Sequence, residues 1–253
     1  MKTANAWGIL AGAVLGILLN SSAAASPILL TYNGPGSDTV NLPLASGGSL
    51  NVYAFPYYVG GEPAMCDDAQ TDVSKGLTWW ANPHTLPGNI TQMKFYSEFT
   101  GPNAAANALL AYEEAAVIFY ESVTTGIVGD GTAHGTTRAE GNVAVWYLFS
   151  NSSLYHGTYA VGSDTEIQNV IAAAAQVVAS GTFDYSKVTF WTPDPDTTLN
   201  PAKGGLGPGI GASQEFIMLT SYANQIAPEP GTYALFGVGL LALGGLSRRL
   251  RRV

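Results

Sequence analysis

The chain has 253 residues, 47% of them hydrophobic and only 11% charged, with a formal net charge of −8. All eighteen Asp and Glu residues lie between Ser26 and Pro230, against five of the ten basic residues (Lys75, Lys94, Arg138, Lys187 and Lys203), so this stretch carries −13. Such acidity argues against nucleic acid and anionic lipid as partners, and a single cysteine, Cys66, excludes an intramolecular disulfide. The first 25 residues read as a secretory signal peptide. Lys2 supplies the positive end, Trp7 to Leu19 the apolar run, and Ala23 and Ala25 the small residues of a cleavage site after Ala25.

Short strands come next. Pro27 to Thr31, Asp38 to Leu44 and Ser49 to Phe55 are apolar or alternating runs punctuated by Asn33-Gly-Pro-Gly and Ser46-Gly-Gly, a pattern expected of a β-meander. The turn-rich Gly60-Gly-Glu-Pro leads into Ala64-Met-Cys-Asp-Asp68, and Lys75 to Ala81 reads as a further strand. The period then changes. Asn103 to Ser122 predicts a helix with Leu109, Tyr112, Ala116 and Phe119 on one side, bounded by Gly101-Pro102 and Thr125-Gly126. Ala139 to Ser150 fits a buried strand or a buried helix equally. Ser163-Asp-Thr-Glu166 is a capping box that opens a helix over Ile167 to Ala179, and Gly181 stops it. Val188 to Thr192 and Glu215 to Thr220 read as closing strands around a Pro/Gly/Asp loop from Pro193 to Ala212. The expected fold is α+β, with β-sandwich or barrel-like strands at both ends of the exported chain (residues 26–226) and an inserted helical subdomain.

Catalytic motifs are missing from the sequence. It holds no Gly-x-Ser-x-Gly elbow, His-Glu-x-x-His helix, phosphate-cradling Gly-x-x-x-x-Gly-Lys loop or Cys-x-x-Cys pair. His84, His134 and His156 sit in Pro-, Gly- and Ser-rich segments and are read as surface residues. Asp194-Pro-Asp196 starts like a calcium loop, but the required sixth-position glycine and twelfth acidic ligand are absent. Asp67, Asp68 and Asp72 are read as a solvated acidic turn, with a weak calcium site as the alternative. Glu113 and Glu114, adjacent on a helix, diverge. No enzyme, metal or cofactor is expected.

The C-terminal segment, residues 227–253, has three parts: Pro228-Glu229-Pro230, an apolar run from Thr232 to Leu246, and Arg248, Arg249, Arg251 and Arg252. Fifteen helical residues cover roughly 22 Å, short of the ~30 Å hydrocarbon core, while the arginines favour the cytoplasmic side. The order resembles the PEP-CTERM sorting signal of Gram-negative bacteria. That resemblance implies transient insertion in the inner membrane and processing by an exosortase near the tripeptide, with the protein ending at the cell surface or outside the cell.

A second resemblance centres on Cys66. Met65-Cys-Asp-Asp68, Val73 to Trp79, Tyr112-Glu-Glu-Ala-Ala116 and Asn142-Val-Ala-Val-Trp146 follow the order of motifs in a group of PEP-CTERM proteins. Their pattern is similar to the thioester domains of bacterial surface adhesins, in which a cysteine joins a glutamine side chain. Here Asn142 stands at the glutamine position, one methylene shorter, and Gln92, Gln168, Gln176 and Gln214 lie outside the motif. Three readings of Cys66 stay open: a buried packing residue, a reactive or crosslinking thiol, and half of a thioester. Two functions follow. One is a non-enzymatic cell-surface or matrix protein, associated with exopolysaccharide or with other surface proteins. The alternative is a covalent adhesin acting through Cys66.

Overall fold

The computed structural model describes residues 27–37, 39–43, 48–67, 75–88, 90–125, 138–149, 165–194 and 214–221. All belong to the unit Pro27–Pro228. The expected signal peptide, the sorting segment and most of the Pro193–Ala212 loop lie outside the described residues.

Six strands close into a barrel in the order β1 (Ile28–Pro35), β4 (Tyr57–Val59), β5 (Glu62–Cys66), β8 (Phe216–Leu219), β7 (Val188–Pro193) and β6 (Thr78–His84). Every pairing is antiparallel, and β6 returns to β1 with Leu29 opposite Trp80 and Thr31 opposite Thr78. The expected meander does not form. Instead β2 (Thr39–Pro43) and β3 (Ser49–Tyr53) make a separate two-stranded sheet. A small barrel wall needs inward side chains that fill the interior. On the ribbon, the cross-strand pair Val40 and Val52 is only half-buried and packs against the core beneath the helices.

Side-chain alternation gives the barrel two apolar faces. Inside, Leu30, Tyr32, Trp79, Trp191, Phe216 and Met218 fill the lumen, and all are at least 95% buried. Phe216 lies at its centre, with ring centroids 5.6 Å from Trp79 and 6.1 Å from Tyr32. Outside, Met65, Val188, Phe190 and Ile217 on β5, β7 and β8 join the core formed by three helices. These are α1 (Ala104–Thr124), α2 (Arg138–Phe149) and α3 (Thr165–Ser180), which follow β6 and precede β7 in the chain. The helices therefore share their core with the outer wall of the barrel. The helices are inserted between β6 and β7, but the structure does not set them apart as a subdomain with a core of its own, because the apolar outward residues of β5, β7 and β8 need the helices to cover them.

The exposure of each helix follows its place in that layer. Along α1, every residue from Glu114 to Phe119 is buried, since α2, α3 and the barrel surround it. Residues Gly141 to Trp146 of α2 are likewise buried, which settles the ambiguous run as a helix. On α3 the fully buried residues are Ile167, Val170 and Ala174, one stripe of an outer helix. It stops at Gly181, whose φ of +65° is the left-handed conformation of a helix C-cap.

Candidate functional site

Two polar clusters lie where the barrel meets the helices. The first is built on Cys66, the last residue of β5. Its side chain is fully buried and belongs to the interior cluster with Tyr32 and Phe216. The Tyr32 hydroxyl is pushed up from its ordinary pKa, by burial first and by Cys66 second. The Cys66 carbonyl accepts two hydrogen bonds from α2, from Asn142 Nδ2 at 2.6 Å and Trp146 Nε1 at 2.9 Å. One turn of helix separates these donors, so both reach the same acceptor. Asn142 is completely buried, and its Oδ1 has no hydrogen-bond partner among the described residues.

The second cluster is built on Glu215, immediately before β8 and completely buried. Tyr112 of α1 donates its hydroxyl to Oε1 at 3.0 Å. The backbone N–H of Lys94 donates to Oε2 at 3.1 Å, and Thr192 of β7 donates its hydroxyl to the same oxygen. Tyr112 in turn accepts the Phe95 N–H at 3.0 Å. One carboxyl group thus joins two strands, a helix and the 90–98 segment. Burial raises the Tyr112 hydroxyl pKa well above its usual value, and Glu215 and then Asp67 add to the rise. Half-buried His84 is lowered by burial, against a smaller opposing pull from Glu215.

The clusters adjoin. Cys66 pairs with Phe216, and the next pair is bridged by the Asp67 N–H on the Glu215 carbonyl at 3.5 Å. The structure brings Asn142 to Cys66 through the backbone carbonyl of Cys66. Asp67 is 1% exposed, which corrects its reading as part of a solvated turn; Asp68 and Asp72 lie outside the described residues. So do His134, His156 and the sorting residues Pro228, Glu229, Pro230, Arg248, Arg249, Arg251 and Arg252. Glu215 and Thr192 carry no functional signal in the sequence beyond a polar residue beside an apolar run, whereas Tyr112 opens the Tyr112-Glu-Glu-Ala-Ala116 motif. Among the described residues, no three His, Cys, Asp or Glu side chains are placed to hold a metal ion, and no helix is long and apolar enough to cross a membrane.

The hydrogen bonds that cross from barrel to helices give both clusters a joining role, since directional bonds at an interface fix its register. Beyond the described residues, the tail carries a match to a known family. Residues 227–252 match the PEP-CTERM protein-sorting motif, which supports an exported protein that is an exosortase substrate. Export through a membrane-associated processing step follows from the same motif. No curated protein and no solved structure matches the chain.

Proposed function

We propose that the mature chain is a non-enzymatic protein of the cell surface or extracellular matrix, trimmed by an exosortase and held among exopolysaccharide. The observation that carries this reading is the PEP-CTERM match over residues 227–252. It is supported by the acidic, weakly charged composition between Ser26 and Pro230. It is also supported by the polar clusters, whose hydrogen bonds tie the barrel to the helices.

A covalent thioester adhesin is the second reading, favoured by the 2.6 Å approach of Asn142 to the Cys66 backbone. The thiol would attack the Asn142 side-chain amide carbon; the C–S bond forms, the C–N bond breaks, and ammonia leaves. Packing of the Cys66 side chain inside the barrel favours the first reading.

One intact-mass measurement on mature protein from the native host tests both. A C-terminus near Pro228-Glu229-Pro230, with full amide mass, is the expected result, and Glu229→Ala should leave unprocessed precursor in the inner membrane. Mature protein ending at Val253 would overturn the sorting reading. A mass lighter by one ammonia, regained as a methylamine adduct, would establish the adhesin instead.

A further inference from the structure

The helices cover the outward side of β5, β7 and β8, where Met65, Phe190 and Ile217 are buried. On β1, β4 and β6 the outward residues are of a different kind. Leu29 is 49% exposed and Trp80 40%, and they sit directly opposite each other on β1 and β6. Two residues along, Thr31 faces Thr78, and Asn82 follows Trp80 on the same side of β6; these three are half-buried. Tyr58 of β4, 37% exposed, extends the face further along.

Neighbouring strands run about 4.8 Å apart, and same-side residues about 6.8 Å apart along a strand. The indole, the leucine, the two hydroxyls and the amide thus share an area the size of one or two pyranose rings. An exposed Trp on a rigid strand is expensive to leave in water and is the residue type that anchors interfaces. A plain apolar partner leaves the Thr pair and Asn82 without matching groups. A sugar ring presents an apolar face of C–H groups for the indole and hydroxyls at its rim for Thr and Asn. Charge narrows the class. None of Leu29, Thr31, Tyr58, Thr78, Trp80 and Asn82 carries a formal charge; Asp194, whose N–H bonds the Trp80 carbonyl at 2.9 Å, adds an acidic residue beside Trp80, and Lys75, whose side chain lies over Gly34 opposite Tyr58, adds a basic one at the far end of the face. Around Trp80, at the centre of the face, an anionic polymer meets repulsion from Asp194, whereas a neutral one does not.

We infer that this open barrel face, centred on Trp80 and Leu29, binds a neutral polysaccharide chain. This deepens the matrix reading above and rests on it. Affinity electrophoresis tests it, with mature protein migrating through gels that contain hydroxyethyl cellulose, dextran or alginate. At least one neutral polymer should retard the protein, and alginate should not. Trp80→Ala should weaken the retardation at least tenfold, and the nearly isosteric Thr78→Val several-fold. Tyr53→Ala, at an exposed residue on the separate ribbon, should leave it unchanged. The inference is overturned if neither neutral polymer retards the protein, if alginate does so instead, or if Trp80→Ala and Thr78→Val bind as the parent does. It is equally overturned if sedimentation shows that Trp80→Ala dissociates a dimer, which would make the face a self-contact. Binding is read independently of the C-terminal mass, so failure here leaves the sorting result standing.

Discussion

Glu215 holds four segments of the chain on one carboxyl group, and its replacement separates geometry from mere burial. Glu215→Gln keeps an acceptor for Tyr112 but turns an N–H₂ toward the Lys94 N–H and the Thr192 hydroxyl, both donors in the parent. Stranding buried donors costs about 1–3 kcal/mol each, less whatever Thr192 recovers by rotating. The expected result is a fall in stability of about 2–3 kcal/mol, seen as a lower urea midpoint at unchanged slope. An unaltered midpoint would show that the joint carries no load. Nothing local in the sequence marks this residue, because its partners stand 103, 121 and 23 positions away. Cys66 and Asn142 were legible as a pair through motif order, 76 residues apart. The atoms they use were not, since a motif names residues and not whether the backbone or the side chain makes the contact.

On α1, Glu114 is nearly buried beside Glu113, and burial chiefly, with help from Glu113, raises its carboxyl from 4.5 to about 7. Tyr185, packed near both acids, is raised to about 12, by burial and then by their charges. In the unfolded chain Glu114 returns to its ordinary value, so it favours folding fully below pH 4.5 and loses that contribution as pH rises through 7. Glu114→Gln should therefore match the parent at pH 4–5 and exceed it by up to about 2 kcal/mol at pH 8. Equal melting temperatures at pH 8 would contradict this. The helix itself was plain from its Ala/Leu/Glu period, whereas α2 was not, because burial all round removes the stripe that reveals a helix. The strands β4 and β5 carry weak sequence signals for other reasons. β4 has only three residues, and β5 carries Pro63, which normally argues against a strand. Gly60 and Gly61, with φ of +62° and +91°, form the tight two-residue turn between them. Pro63 faces Tyr58, one step beyond the pair that closes the turn, where a strand N–H points away from its hairpin partner.

At the scale of the molecule, a core shared by helices and barrel predicts one cooperative transition. Tryptophan fluorescence, from Trp79, Trp80 and Trp191 on the barrel and Trp146 on α2, and far-UV circular dichroism, weighted toward the helices, should give coincident denaturation curves. Separated curves would restore an independent helical subdomain. The α+β class and a barrel-like wall were legible from strand runs on either side of a helical stretch. Strand order was not, because closure joins β5 to β8, residues about 150 positions apart, and short-range pattern says nothing about such partners. Closure has a consequence for an exported chain, which leaves the cytoplasmic chaperones behind. A sheet that ends on itself offers no dangling backbone for a neighbour to copy, so crowded molecules have nothing there on which to template a fibre. Among the described residues, the β2–β3 ribbon is the strand pair with open flanks, and any tendency to polymerise through stacked backbones would start in that hairpin.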